Sequence, residues 1–354
     1  MYNRRNSTVV NIGGLNVGGD NPITIQSMTN TDTRDVAATV RQIHALTDAG
    51  CEIVRVAVPD MQAARSLGEI KGRISIPLVA DIHFDYRLAL ESLEQGVDKL
   101  RLNPGNIGSR ERVRLVAQSA KERKVPIRIG VNSGSLEKSL IDKYGGVTPE
   151  ALSESALSHA RILEELDFGD IVISIKASSV PQTLEAYKRI AARVSYPLHI
   201  GITEAGTLRG GTVKSAAGIA ALLSHGLGDT LRVSLTADPV EEVKAAREIL
   251  QSMEIRSFSP TLISCPTCGR TEIDMIPMAQ KVEDFLSKVR KPIKVAVMGC
   301  VVNGPGEARD ADIGIAGGNG SGLVFAKGQV VARVPEDRLL EVFFNEIKKI
   351  ENLF

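Results

Sequence analysis

The sequence predicts an α/β fold, a (β/α)8 TIM-type barrel followed by a small α+β domain. Three observations predict it. From residue 22 to about residue 253, short β-branched runs alternate eight times with helical stretches, the pattern of a closed parallel barrel. The Gly-rich first turn and the smaller strand number of a doubly wound sheet are missing. The alternation then breaks at Ile255-Arg-Ser-Phe-Ser-Pro260, and a different order of elements follows.

The eight runs are residues 22–28, 52–58, 77–82, 98–102, 126–131, 170–176, 197–203 and 230–235. Amphipathic segments at 36–49, 110–123, 149–166, 182–194, 213–224 and 239–253 lie between them, and the second and third links are shorter. Ahead of the first run, residues 8–17 with Gly13-Gly14 read as a hairpin that closes the barrel bottom. The barrel domain is expected over residues 1–255. A second domain over residues 260–354 is expected to hold strands at 261–264, 293–297 and 312–316. It adds a helix at 272–289, a hairpin at 322–325 and 329–334, and a final helix from 335. The Gly-rich stretch Gly314–Gly322 lacks the Lys-Ser/Thr that completes a phosphate loop, and Lys327-Gly328 suits a hairpin turn.

Composition narrows the class. With 43% hydrophobic and 24% charged residues and a net charge of +1, the chain reads as a globular protein without a global field for nucleic acid or membrane. Nothing resembles a secretory leader or a membrane span, so a cytoplasmic protein is expected. Four cysteines are too few for a disulfide scaffold. Cys51, at the start of the second run, reads as a small core residue.

The other three cysteines cluster. Cys265-Pro-Thr-Cys268-Gly supplies two thiols on one turn, and Gly299-Cys300-Val-Val-Asn-Gly-Pro-Gly-Glu307 supplies a third. Soft thiolates select zinc or an iron–sulfur cluster. A structural zinc site needs four closed ligands, yet no fourth cysteine is near and none of the five His lies beyond residue 255. A thioredoxin-like pair leaves Cys300 unused. A four-iron, four-sulfur cluster on Cys265, Cys268 and Cys300, with Glu307 as the oxygen ligand, fits the set; zinc and coincidence remain open alternatives.

In barrel enzymes the chemistry sits at the C-terminal ends of the strands. Those ends offer Arg55, then Asp81 and His83, then Arg101 and Asn103, then Arg128 and Asn132. They continue with Lys176 and Ser178, Glu204, and finally Arg232 and Ser234. Five cations on five strands need anions, because buried like charge is costly. A diphosphate ligand is the expected partner, Arg being suited to phosphate oxygens. The alternative is an internal ion-pair network with Glu52, Asp81 and Glu204. His83 can equally be a rim histidine bonded to Asp81. Lys176 has a rival reading as a Schiff-base lysine, which would make the protein a barrel lyase or transferase with a structural zinc.

Both cysteine segments resemble the signatures of the 4-hydroxy-3-methylbut-2-enyl diphosphate synthase family. Ile25-Gln-Ser-Met-Thr-Asn-Thr31, Ala80-Asp-Ile-His-Phe84, Leu100-Arg-Leu-Asn-Pro-Gly105 and Ile202-Thr-Glu-Ala-Gly206 are similar to it too. The resemblance covers nearly the whole chain and matches the short two-domain bacterial form. It implies a two-electron reductive ring opening of 2-C-methyl-D-erythritol 2,4-cyclodiphosphate, with loss of water, in non-mevalonate isoprenoid biosynthesis. It implies a [4Fe-4S] cluster with three cysteine ligands and one glutamate. It implies flavodoxin or ferredoxin as electron donor, and a second domain resembling sulfite and nitrite reductases. It implies a homodimer in which one subunit's cluster domain covers the other's barrel. Arg55, Arg101, Arg128, Lys176 and Arg232 are then expected on the diphosphate, and Asn103, Asn132, Ser178, Ser234 and Asn303 as polar substrate contacts. Glu204 and His83 become candidate proton donors.

Overall fold

The computed structural model describes residues 3–289, 291–300 and 311–352. The chain divides into two compact units between Arg256 and Ser257.

The first unit opens with an antiparallel hairpin, β1 (Val10–Ile12) and β2 (Leu15–Val17). Eight parallel strands follow: β3 (Thr24–Met28), β4 (Ile53–Ala57), β5 (Leu78–Asp81), β6 (Lys99–Arg101), β7 (Ile127–Asn132), β8 (Ile171–Lys176), β9 (His199–Ile200) and β10 (Thr230–Leu231). Neighbours in chain order pair from β3 to β8, β9 pairs with β10, and β10 pairs back onto β3. A single parallel bridge between Ile173 and Leu198 joins β8 to the β9 segment, so the barrel is nearly closed. The strands are nearly continuous apolar runs because parallel strands under helices are buried on both faces.

Helices α1 (Val36–Ala49), α2 (Met61–Lys71), α3 (Tyr86–Glu94) and α4 (Arg110–Glu122) follow the first four barrel strands. α6 (Pro149–Glu164), α7 (Val180–Ala191), α8 (Leu208–Ser224) and α9 (Pro239–Ser252) follow the last four. Capping sets where several begin. Asp35 accepts from the Ala38 N–H, Asp60 from Ala63 and Thr148 from Ala151, satisfying amides that a helix start leaves orphaned. A short α5 (Lys138–Tyr144), not expected from the sequence, sits between β7 and α6. β9 and β10 are shorter than the runs that encode them. At Gly201 a Cβ would lie 2.4 Å from the Arg232 carbonyl oxygen, and Glu204 turns with φ 51. The chain there leaves the ladder to form the barrel rim.

The hairpin plugs the N-terminal end of the barrel. Val10, Ile12 and Val17 pack with Ile53, Val79 and Val172 from three different strands. Cys51 is a buried thiol beside the Ile53 carbonyl, and burial pushes it up to about 12. It is a core residue without thiolate character at neutral pH.

The second unit is a single five-stranded sheet in chain order: β11 (Thr261–Ser264), β12 (Lys294–Met298), β13 (Ile313–Gly318), β14 (Ser321–Ala326) and β15 (Gln329–Pro335). The first three strands are parallel and the last three antiparallel. α10 (Met275–Leu286) and α11 (Glu336–Asn352) cover it, with Val282, Val295, Ile313, Leu339 and Phe343 in the core. The Gly-rich stretch is the β13–β14 hairpin, not a phosphate loop. At Gly314 a Cβ would meet the Phe325 ring at 2.3 Å, so that glycine makes room for an aromatic ring. Lys327 and Gly328 both have positive φ, 49° and 76°, as a two-residue hairpin turn requires. Among the described residues no helix is long and apolar enough to cross a membrane.

Ile12 is fully buried in the plug. Ile12→Ala should lower the unfolding free energy by about 2–5 kcal/mol, read as a shift in the urea midpoint. An unchanged midpoint would mean that the hairpin does not seal the barrel.

Candidate active site

The C-terminal end of the barrel encloses a cavity of about 820 Å³. Side chains alternate along a strand, so residues two apart share a face. Parity therefore aims Arg55 from β4, Asp81 from β5, Arg101 from β6, Arg128 and Asn132 from β7, and Lys176 from β8 into the same cavity. The loops beyond the strands add His83, Asn103, Glu204, Arg232 and Ser234. Eleven of the twelve barrel residues singled out at the strand ends thus line one space. Ser178 does not: β8 ends at Lys176, alternation stops there, and Ser178 faces solvent.

Charge dominates this cavity. Arg55, Arg101, Arg128 and Lys176 are all buried, Arg128 to 1% exposure. Two buried carboxylates answer them. Asp81 accepts from Arg101 Nη1 at 3.2 Å and lies 3.7 Å from both Arg55 Nε and His83 Nε2. Glu242, from α9, pairs with Arg232 at 3.2 Å and accepts from the Leu235 N–H at 3.0 Å. Burial alone would raise the Asp81 carboxyl, but Arg55, His83 and Arg101 outweigh it and hold it far below the carboxylate range. Burial lowers Arg55 to about 10 against the pull of Asp81. Burial first, and neighbouring cations second, push Arg128 and Lys176 well down. For Lys176 those neighbours are Arg232, Arg55 and Arg128.

The cations remain under-satisfied. Arg128 Nε and Nη2 and Arg101 Nε are buried with no partner among the described residues. Polar groups buried in that state are costly and call for a ligand. Arg101 is placed by Gly130, whose carbonyl accepts from Nη2 at 2.8 Å and whose missing Cβ would lie 2.5 Å from Nε. Asn103 also spends its amide on Gly130, donating to the carbonyl at 3.1 Å and accepting the N–H at 2.8 Å. It fixes the β6–β7 rim more than it offers free valence.

Glu52, weighed as a mouth anion, is elsewhere. It pairs with Arg256 at 2.7 Å and accepts from the Ile25 N–H at 2.8 Å. Glu204 is exposed at the rim, and the His83 side chain is 60% exposed beside Asp81. Sequence reasoning missed Glu242, because it comes from a helix. It also missed the exposed Phe84 and the Ser133-Gly134-Ser135 turn, which line the cavity. Deeper in the barrel it missed fully buried Lys99, bonded to Gln26 at 3.2 Å, and His199. Burial keeps both bases far down. Their signal was available: polar residues at inward parity, two before Arg101 and two before Gly201.

In the second unit both cysteine segments leave the same edge of the sheet. Ser264 of β11 pairs with Val297 of β12, so Cys265 and Cys300 follow the ends of adjacent parallel strands. The Gly299 N–H donates to Cys265 Sγ at 3.1 Å, and the Glu272 N–H bonds Gly299 O at 2.9 Å. Cys268 is exposed on a turn closed by Thr271, and the Arg270 backbone N–H lowers its thiol. Cys300 is buried. Among the described residues no three His, Cys, Asp or Glu side chains form a closed metal-holding group. Glu307 and Asn303 lie outside the described residues. The donor chemistry fits an iron–sulfur group: soft thiols from two adjoining loops, with backbone N–H groups turned toward sulfur.

Comparison with known proteins agrees along the whole chain. Residues 7–247 match the family model of the GcpE TIM-barrel domain, and residues 261–349 that of the GcpE protein C-terminal domain. A 4-hydroxy-3-methylbut-2-en-1-yl diphosphate synthase (flavodoxin) of Geobacillus thermodenitrificans is 61% identical over 99% of this chain and 94% of its own. The protein of that name from Geobacillus kaustophilus is equally similar, 61% over the same shares. Among solved structures, dihydropteroate synthase from Stenotrophomonas maltophilia superposes with a TM-score of 0.52 at 13% identity, over 70% of this chain and 98% of that one. That likeness concerns the barrel fold alone. Matched by both domain models and by relatives of about 60% identity from end to end, the chain belongs to the GcpE family of 4-hydroxy-3-methylbut-2-en-1-yl diphosphate synthases.

Proposed function

We propose that this chain catalyses the reaction for which its relatives are named. It opens 2-C-methyl-D-erythritol 2,4-cyclodiphosphate reductively to (E)-4-hydroxy-3-methylbut-2-enyl diphosphate, taking up two electrons and releasing water. The observation that carries this reading is Arg128, buried with two guanidinium nitrogens that find no partner among the described residues, in a mouth of five cations answered by the buried carboxylates Asp81 and Glu242. A diphosphate supplies the missing acceptors and the missing negative charge.

In this reading the first unit binds and orients. Arg55, Arg101, Arg128, Lys176 and Arg232 hold the diphosphate oxygens, and Asn132 and Ser234 fix its direction. Asp81 tethers Arg55 and Arg101 in the mouth through a close ion pair and a hydrogen bond. Glu204 and His83, exposed at the rim, deliver a proton to the departing hydroxyl. The barrel domain is therefore the substrate domain. The second domain is the cofactor domain, where Cys265, Cys268, Cys300 and Glu307 hold a [4Fe-4S] cluster. When bound, that group supplies single electrons and a Lewis-acidic iron. Flavodoxin, named with the relatives, is the electron donor proposed here.

Neither unit suffices alone. The barrel's one cysteine, Cys51, is a buried core thiol, while the clustered thiols belong to the second unit. We place the two functions together across a homodimer, the cluster domain of one subunit serving the barrel of the other.

Arg128→Met should weaken cyclodiphosphate binding by about 2–5 kcal/mol, the usual result of removing one partner of a buried charged pair. Titration calorimetry reads it, and affinity within threefold of the parent would refute the anion role. Anaerobically reconstituted protein should be brown with about four irons per chain. Cys300→Ser should bleach it, Glu307→Ala should leave a weaker cluster, and a colourless zinc protein would overturn the cofactor assignment. Mixing inactive Lys176→Ala and Cys300→Ser subunits should restore activity, since one site per heterodimer is then intact. No recovery after verified exchange places the site within one chain.

A further inference from the structure

One buried histidine lies behind the mouth and is not used by the reading above. His159, on α6, is 4% exposed. Its two ring nitrogens face two different mouth loops. The Gly105 N–H donates to Nδ1 at 3.1 Å. Nε2 lies 3.0 Å from Glu137 Oε1, which also accepts from Ser155 Oγ at 3.0 Å.

Each partner belongs to a loop that lines the cavity. Gly105 lies in the turn Pro104–Asn106 after β6, between cavity residues Asn103 and Asn106. Glu137 follows the turn Ser133–Ser135 after β7, whose residues line the cavity with Asn132. The contact with Gly105 is close enough to dictate the residue: a Cβ there would lie 2.7 Å from the imidazole Cε1.

We infer that His159 is a positioning residue, a neutral imidazole latch that ties the β6 and β7 loops to α6 and so sets the spacing of their substrate contacts. The chemistry follows from the donors. A backbone N–H pointing at Nδ1 requires a lone pair there, so the ring proton resides on Nε2 and is donated to Glu137. That hydrogen bond, against the opposing effect of partial burial, holds the Glu137 carboxyl down at about 2. Glu137 is therefore an ionised acceptor throughout the working range. Alanine at 159 makes neither bond, and the two loops lose their common anchor.

The inference rests on the reading that the mouth binds the cyclodiphosphate, and its test separates the two. Cyclodiphosphate is titrated calorimetrically into reconstituted parent, His159→Ala, His159→Asn and His159→Gln proteins. Asn can reproduce only the acceptor toward Gly105, and Gln only the donor toward Glu137. His159→Ala should raise Kd about tenfold or more at unchanged stoichiometry, with Asn and Gln each recovering part of the loss. A purely structural role would lower the bound fraction and leave Kd alone. Kd within twofold of the parent in the Asn, Gln and any folded Ala protein overturns the latch. Imidazole 15N shifts should report the Nε2–H tautomer for His159, and the Nδ1–H tautomer or an imidazolium also overturns it. A parent protein that binds no cyclodiphosphate overturns the mouth reading instead, and the 15N shifts still decide the latch.

Discussion

Five cationic side chains crowded into a low-dielectric barrel mouth, with two buried carboxylates between them, form the constraint around which the first unit is organised. Like charges out of water repel strongly and lose hydration. The surrounding structure must therefore over-determine their positions. Asp81 sits where Arg55 and Arg101 can share it, Glu242 reaches in from α9 for Arg232, and Gly130 gives up its side chain so that Arg101 can lie against the backbone. Among the described residues, Arg128 Nε and Nη2 and Arg101 Nε still lack an acceptor, which leaves room for an anionic partner. A site prepared in this way loses little further entropy on binding, which is the physical content of preorganisation.

The rest of the barrel supports that arrangement from below and behind. Lys99, Gln26 and His199 form a polar interior beneath the mouth, and burial there disfavours charge on the lysine and the histidine. Beneath that, the hairpin plug with Ile12, Ile53, Val79 and Val172 closes the far end with apolar side chains. Behind the rim, His159 and Asn103 hold loops by side-chain bonds to backbone groups. Loops leaving a closed barrel need such anchors, because strand pairing no longer restrains them.

The second unit solves a different problem on a smaller scale. Three parallel strands put consecutive chain segments side by side, and two of those strands end in cysteine loops. The Gly299 N–H aimed at Cys265 Sγ shows the loops adjoining at the backbone level. The sheet continues through β13 into an ordinary hairpin, where Gly314 and Gly322 make room for Phe325 and Leu339. Cys265 and Cys300 therefore lie in loops that follow the ends of neighbouring strands.

Periodicity alone determined the barrel, its eight strands and most of its helices, because burial on both faces writes a strand as an apolar run and a covering helix as a 3.6-residue stripe. It also determined which face Arg55, Arg101, Arg128 and Lys176 share, since alternation is a property of the strand itself. Cysteine spacing pointed to a thiolate site for the same local reason. Beyond the strand ends such rules lapse, which is why alternation does not carry Ser178 into the cavity and α5 was not foreseen. The anion partners were decided only by tertiary structure: Glu242 arrives from a helix, Glu52 pairs with Arg256 away from the mouth, and His159 reaches across two loops. Contacts between elements far apart in sequence depend on how the barrel closes, and no local pattern encodes them.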